Sequence, residues 1–293
     1  MEINGETKIL AVIGDPIAHS LSPQMHNKNI ESLGINYAYL AFNVKEENIQ
    51  DLIDGAKSLR IRGLNVTIPH KINIIKYLDE IDPLAEKIGA VNTIKFDYSS
   101  ELPIAKGYNT DATGAIRALK EKTSLKDKNI LVLGAGGAAR AIAFALCFED
   151  IESITILNRN LEKALDLAGD ITSKTDYTVR FDTFENINEY LKDTDIIIHT
   201  TPNGMYPNIG DEPLVYAQQM NPNMTVFDIV YNPLETTILK EAKKIGATRV
   251  SGLKMFLYQG AEAFTIWTGI DADIDAMEKV ILESSGIDDL GDF

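Results

Sequence analysis

The sequence predicts an α/β protein of two lobes: an N-terminal α/β lobe with a mostly parallel sheet, then a doubly wound, Rossmann-like lobe. Three observations predict it. The chain has 293 residues, about twice an ordinary domain. Short β-like runs alternate with helical apolar spacing along most of its length. At Asn129–Ala141 an apolar run enters a glycine-rich turn and then an alanine-rich stretch, the order of a strand, a tight turn and a helix.

In the first third, strands are expected at Lys8–Gly14, Tyr37–Val44 and Gly63–Ile68, and helices at Pro23–Leu33, Glu46–Leu59 and Lys71–Leu78. Parallel strands need crossovers, so this order implies a largely parallel sheet. Val91–Phe96 and Ala105–Gly107, joined by the polar turn Asp97–Glu101, read as a hairpin on an edge. After Asp111 strands are expected at Asn129–Leu133, Ser153–Leu157, Thr178–Phe181, Asp195–Thr200, Thr225–Ile229 and Thr248–Val250. Helical spacing separates most of them, at Ala138–Phe148, Leu161–Thr172, Asn186–Leu191 and Glu235–Ile245. Right-handed crossovers make such a series a doubly wound sheet. Two helices, Leu253–Trp267 and Ile274–Glu283, follow without a strand. The lobes are placed at 1–111 and 112–253, bridged by the helical segment Asp111–Ser124. The C-terminal helices of 254–293 are expected to fold back on the first lobe, and Asp288–Asp292 reads as a solvated acidic end.

Twenty-eight Lys and Arg against 43 Asp and Glu give a net charge of −15. That field repels polyanions and argues against nucleic acid or an anionic membrane as partner, while a small anion held by local donors stays compatible. The single Cys147 forms no internal disulfide, and His19, His26, His70 and His199 lack metal-ligand spacing. A reducing, cytoplasmic setting without a metal is expected. The opening Met1-Glu2-Ile3-Asn4-Gly5-Glu6 has neither the basic start nor the apolar stretch of an export signal. The longest apolar run, Ile130–Phe148, is broken by glycines and Arg140, so no membrane span is expected.

The glycine-rich turn is G-x-G-x-x-A. Gly134 permits the tight turn, Gly136 removes the side chain that would block a pyrophosphate, and Ala139 lets helix and strand pack closely. Gly137 and Ala138 stand at the helix start, whose N–H groups face the phosphates. A tight βα turn without a ligand gives the same short pattern. The next strand ends in Asn158-Arg159-Asn160, with Lys163 one turn later. An NAD site usually carries a carboxylate near that tip, whereas Arg159 and Lys163 suit a 2′-phosphate and hence NADP. A solvated Arg159 and a Lys163 neutralised by Glu162 are the bland alternative.

In the first lobe, His19-Ser20-Leu21-Ser22-Pro23 reads as a helix start, with Ser22 as N-cap and Pro23 at the first helical position. Ser20, Ser22 and the N–H groups beyond also suit a carboxylate. Asn65 and Thr67 alternate with apolar residues and leave one face of a strand, and Lys71 follows just past Pro69. Asn92 lies in Gly89-Ala90-Val91-Asn92-Thr93, and Asp111 ends Gly107-Tyr108-Asn109-Thr110-Asp111. Alone, Asn92 reads as a turn residue and Asp111 as a helix cap. Strand ends of an open α/β sheet share one crevice, where amides, hydroxyls, a lysine and an aspartate suit a small polyhydroxylated acid.

These segments, in this order, resemble the shikimate dehydrogenase family almost end to end. The same resemblance includes Asn203-Gly204-Met205, Asp228-Ile229-Val230-Tyr231-Asn232-Pro233, and Gln259-Gly260-Ala261 with Trp267-Thr268-Gly269. It implies NADPH-dependent, reversible reduction of 3-dehydroshikimate to shikimate, toward chorismate and the aromatic amino acids. By resemblance, Ser20 and Ser22 bind the substrate carboxylate, and Asn65, Thr67, Asn92, Asp111 and Gln259 hold ring hydroxyls. Lys71 and Asp111 form the catalytic pair, and Tyr231 lies near the substrate. Thr200, Gly252 and Met255 join the cofactor residues. The chain departs from the family's usual residues at His199, where Asn is frequent, at Ala112, where Gly is usual, and at Lys254. Alternatives are a quinate/shikimate dehydrogenase that prefers NAD, a ligand-sensing relative without chemistry, and a methylenetetrahydrofolate dehydrogenase, which would not need the paired serines. A monomer or a homodimer fits equally.

Overall fold

The computed structural model describes residues 2–285. Of these, 2–110 with 257–285 form one compact unit and 111–256 the other, the division falling inside two helices. Residues 286–293, with the acidic end Asp288–Asp292 and the last part of the C-terminal segment, lie outside the described residues.

The first unit opens with β1 (Lys8–Gly14), α1 (Ser22–Leu33), β2 (Tyr37–Asn43), α2 (Ile49–Ser58) and β3 (Gly63–Val66). It continues with β4 (Glu80–Ile81), α3 (Pro83–Ile88), β5 (Thr93–Asp97) and β6 (Ile104–Tyr108), and the sheet order is β2-β1-β3-β5-β6-β4. β1 pairs in parallel with β2 and β3, aligning Leu10 with Tyr39 and Gly63. β5 runs antiparallel to β3 and to β6, so this sheet is mixed. The hairpin is not on the edge. Glu80 and Ile81 pair in parallel with Lys106 and Gly107 and cover it, and two residues in the polar stretch Leu78–Asp82 carry too little alternation to be read as a strand. Over Lys71–Leu78 the helical expectation reduces to a 3₁₀ turn at Asn73–Tyr77. Next comes α3, which the apolar spacing did not reveal although its caps are clear. Asp82 Oδ1 accepts from Leu84 N–H at 2.9 Å, Pro83 opens the first turn, and Gly89 at φ +71° ends it.

The second unit comprises most of α4 (Thr110–Lys122), then β7 (Asn129–Leu133), α5 (Gly137–Leu146), β8 (Ser153–Leu157), α6 (Leu161–Lys174), β9 (Arg180–Asp182) and α7 (Ile187–Tyr190). β10 (Ile196–His199), β11 (Thr225–Asp228), α8 (Thr237–Lys244) and β12 (Thr248–Ser251) complete it. All its strands are parallel, in the order β12-β11-β10-β7-β8-β9. The order reverses between β7 and β10, and the carboxyl ends at such a switch point are where open α/β sheets bind ligands. Leu131, Leu133, Ile197, Val226 and Leu239 form part of its core.

Alternation along β1 feeds both faces of the first sheet, since Ala11 and Ile13 join Ile53, Leu64 and Ile94 while Leu10 and Val12 join Tyr39 on the other side. That second face is closed by Ile30 of α1 and by Ala263, Phe264 and Trp267 of α9 (Gly252–Thr268), with α10 (Ile274–Ser285) packed on α1. Trp267 lies where Gly63 has no side chain, and its Nε1–H donates to Ile94 O at 2.9 Å. Gly260 likewise leaves room for Met25 of α1. Asp273 N–H donates to Asn29 Oδ1 at 2.8 Å, and α10 runs against α1.

Candidate active site

Because β5 is antiparallel to β3, its first residues meet the carboxyl end of β3, and Asn65 faces Thr93 in register. The Tyr39 hydroxyl donates to Asn65 Oδ1 at 2.6 Å, and Asn65 Nδ2–H groups reach Asn92 O at 3.3 Å and Thr93 Oγ1 at 3.2 Å. Asn92 Oδ1 accepts from Thr110 N–H at 2.7 Å, and its Nδ2–H donates to Thr110 Oγ1 at 3.0 Å. Asn92, in a bend just before β5, thus also holds the first N–H of α4, and Asp111 sits in the first helical turn. An amide has two hydrogens and two carbonyl lone pairs. One lone pair of Asn65 and one hydrogen of Asn92 remain after these bonds, a donor and an acceptor suited to a hydroxyl.

Thr67 N–H donates to Ile13 O at 2.9 Å, and its methyl occupies the space that a side chain at Gly14 would need. Lys71 is half-buried, and its carbonyl accepts from Val91 N–H at 2.8 Å, which seats it beside the Gly89–Thr93 segment. His70 is fully buried and held by Val44 O at 2.6 Å from Nε2. At the start of α1, Leu21 occupies the cap position without a side-chain cap bond, and Ser22 is the first helical residue. It is the Ser20 hydroxyl that reaches the helix start, accepting from Ser22 N–H at 3.3 Å. Gln259 stands on α9 at 9% exposure.

Two aromatic groups in this unit escaped the sequence reading. Tyr39 looked like a core residue of an alternating strand. His26, fully buried, stacks on it with ring centroids 4.3 Å apart and planes 14° from parallel. Burial pushes the imidazole down to about 3, opposed in part by Asn65 nearby, so His26 is neutral. Burial pushes the Tyr39 phenol well up, opposed by the Ser22 hydroxyl. Thr93 and Thr110 also join the network, though nothing marked them beyond their neighbours Asn92 and Asp111.

In the second unit, Gly134 adopts φ +118°, and a Cβ there would run into the Thr200 hydroxyl. Thr200 fills that place by donating N–H and Oγ1–H to Leu133 O at 2.9 and 2.8 Å. At Gly136 and Gly137 a Cβ would meet nothing within 4 Å, and α5 has no side-chain cap. The open space at Gly136 and Gly137, at the uncapped start of α5, fits a pyrophosphate. Asn160 caps α6 by accepting Lys163 N–H at 3.1 Å, and Asn158 Nδ2–H donates to Asn160 O at 3.0 Å. Arg159 and Lys163 are exposed, and among the described residues neither makes an ion pair, with Glu162 included. A side chain at Gly252 would overlap the carbonyls of Ile229 and Val230. Met255 follows one turn later at 8% exposure, and Tyr231 keeps 38% exposure with its ring stacked 5.2 Å from that of Phe256. Lys254 lies 3.6 Å from Glu121 of α4, and Ala112 is fully buried. No helix among the described residues is long and apolar enough to cross a membrane, and none of their His, Cys, Asp and Glu clusters is arranged to hold a metal.

A fold with a nucleotide cradle at one switch point and a polyol-type amide network in the other unit defines a two-domain dehydrogenase class. Family models agree. Residues 12–94 match the shikimate dehydrogenase substrate binding domain, 117–245 the shikimate / quinate 5-dehydrogenase model, and 252–282 the shikimate 5′-dehydrogenase C-terminal domain. A shikimate dehydrogenase (NADP(+)) of Methanobrevibacter smithii is 56% identical over 95% of this chain and 98% of its own. A shikimate dehydrogenase crystallised with NADP+ is 50% identical, with a TM-score of 0.91 over 97% of both chains. A Listeria monocytogenes shikimate 5-dehydrogenase, crystallised with shikimate and NAD, is 37% identical with a TM-score of 0.90 over 96% of this chain and 98% of that one. The chain belongs to the shikimate dehydrogenase family.

Proposed function

We propose that the protein catalyses the reversible, NADPH-dependent reduction of 3-dehydroshikimate to shikimate, a step toward chorismate and the aromatic amino acids, in the cytoplasm. One observation carries the substrate reading. The buried network spends all but one acceptor of Asn65 and one donor of Asn92 on the fold, leaving a matched pair for a ring hydroxyl. Ser20, Ser22 and the first N–H groups of α1 would take the carboxylate at the positive end of the helix. Thr67, Gln259 and Tyr231 would complete the substrate contacts.

NADPH, when bound, supplies the hydride. Gly134, Gly136, Gly137, Ala138, Ala139 and Thr200 would form its pyrophosphate seat. Asn158, Arg159 and Lys163 would hold the 2′-phosphate, and Gly252 with Met255 would flank the nicotinamide. The carbonyl oxygen needs a proton as its carbon gains hydride, and Lys71 would donate it from its ammonium. The Asp111 carboxylate would balance that charge and, in the reverse direction, favour return of the proton to Lys71. The protein would work on small molecules, as a monomer or a homodimer, without nucleic acid or membrane.

The test follows NADPH absorbance with 3-dehydroshikimate, repeated with NADH and, in reverse, with quinate in place of shikimate. NADPH oxidation that outpaces NADH, with shikimate preferred to quinate, is expected. Quinate oxidation with NAD as the faster reaction would give the function to a quinate/shikimate dehydrogenase, a reading that a neighbour crystallised with NAD keeps in view. Tight NADPH binding without turnover would make the protein a ligand sensor.

A further inference from the structure

At the carboxyl end of the second sheet, His199 of β10, Asp228 of β11 and Ser251 of β12 stand in one register row. Asp228 is fully buried, and a buried carboxylate is costly unless its lone pairs are matched. Its Oδ1 accepts from Val230 N–H at 3.0 Å and its Oδ2 from the Thr236 hydroxyl at 2.5 Å. Both donors lie on the segment that carries Tyr231, so one carboxylate closes that loop at its two ends. His199, at 1% exposure, places Nδ1 3.0 Å from Asp228 Oδ1, off the line of an ideal hydrogen bond. On its other side, Nε2 lies 2.6 Å from Thr201 Oγ1.

The proton inventory fixes the direction of this chain. For a neutral imidazole facing a carboxylate, which only accepts, the proton belongs on Nδ1, which leaves Nε2 to accept from the Thr201 hydroxyl. The Thr201 oxygen then accepts from Asn203 N–H at 3.3 Å. The two loops are tied again where Tyr206 N–H donates to Asn232 O at 3.0 Å.

We propose that His199, seated on Asp228, is a positioning residue for the cofactor: through Thr201 it fixes the Thr200–Gly204 loop to the Ile229–Thr236 loop, so that the two move as one piece. The inference rests on the NADPH reading of the second unit. The side chain of Asn is shorter than the imidazole, so His199→Asn keeps a polar group beside Asp228 and loses the link to Thr201.

The test compares Thr201→Val, His199→Asn, His199→Ala and the double variant His199→Ala/Thr201→Val. It reads the NADPH dissociation constant by fluorescence, the melting temperature, and the protonation of the His199 nitrogens by ¹⁵N NMR. Each single variant is expected to weaken NADPH roughly tenfold, the scale of one lost buried hydrogen bond, with kcat at saturation little changed. His199→Asn should match Thr201→Val, and the double variant should bind no worse than His199→Ala, because both lesions break one link. In the parent, Nδ1 should carry the proton and Nε2 should not. Single variants that bind NADPH within about twofold of the parent, losses that multiply in the double variant, or a proton on Nε2 would overturn the proposal. Should His199→Ala fail to fold, Thr201→Val and His199→Asn decide it alone. The NMR readout needs neither substrate nor turnover, so failure of the enzymatic reading is distinguishable from failure of this one.

Discussion

In the second unit the candidate site is made of what side chains leave out, at Gly134, Gly136, Gly137 and Gly252, and is spoken by the backbone of neighbouring residues. In the first unit it is made of side chains, Tyr39, Asn65, Asn92, Thr93 and Thr110, drawn from four separate stretches and locked to one another. The difference follows from the ligands each would take. A pyrophosphate asks only for N–H groups and room, which a contiguous turn supplies. A polyol asks for donors and acceptors at fixed positions, which only a pre-arranged network gives.

The comparison is broken most directly at the proposed proton donor, where the largest effect is expected. Lys71→Ala should lower kcat for 3-dehydroshikimate reduction by about 10²–10⁴-fold, the range for general acid–base help, while NADPH binding, proposed for the other unit, should stay as in the parent. Stopped-flow turnover with parallel fluorescence titration separates the two. Turnover close to that of the parent would assign the proton to another group.

The cofactor side is sharpened by two variants of different kind. Gly136→Ala meets open space, so the melting temperature should hold while NADPH affinity falls, because the methyl group stands where the pyrophosphate must approach. Arg159→Ala should weaken NADPH by roughly 10–100-fold, the worth of a charged hydrogen bond at about 1.5–3 kcal/mol, and leave NADH almost unaffected. Equal losses for the two cofactors would show that Arg159 does not touch a 2′-phosphate.

This contrast also explains what could be read beforehand. G-x-G-x-x-A between an apolar strand and an alanine-rich helix is local, and the turn lies where the pattern put it. Ser20, Asn65, Asn92 and Asp111 were picked out by polar residues at strand and helix ends, and their roles came from the family resemblance. Tyr39 was not picked out, because a tyrosine in an alternating strand reads as core until the Asn65 carbonyl beneath its hydroxyl is seen. The bridging role of Asn92 is not legible for the same reason, since its partner Thr110 N–H lies 18 residues away. β4 was missed because two residues of strand are fixed by their neighbour β6 and not by any pattern of their own.

A milder lesion probes whether the first unit's network is structural as well as functional. Asn65→Ala leaves the buried Tyr39 hydroxyl without the Asn65 acceptor and takes one donor from Thr93, which should cost about 1–3 kcal/mol of stability in addition to shikimate affinity. Asn65→Asp keeps the acceptor for Tyr39 but loses the donor to Thr93. It should bind shikimate worse than the parent even where both fold fully, as urea unfolding monitored beside ligand titration would show.

An effect that emerges only on acidification concerns His26, whose stacked imidazole supports Tyr39 and has no counterpart in the second unit's backbone-built site. Its folded value of about 3 lies below the roughly 6.5 of an exposed histidine. The unfolded chain therefore binds a proton between those values that the folded chain refuses. Stability is full above about pH 6.5, falls by about 1.4 kcal/mol per pH unit as the solution is acidified toward 3, and gains no further loss from this group below that. His26→Gln removes the titration but keeps a polar group of similar length. Between about pH 6 and 4.5, where the carboxylates are still largely ionised, its unfolding free energy should fall less steeply than the parent's by about one proton's worth. Equal slopes would mean that the imidazole is protonated in the folded protein, and that a charged group, not a neutral ring, lies against Tyr39.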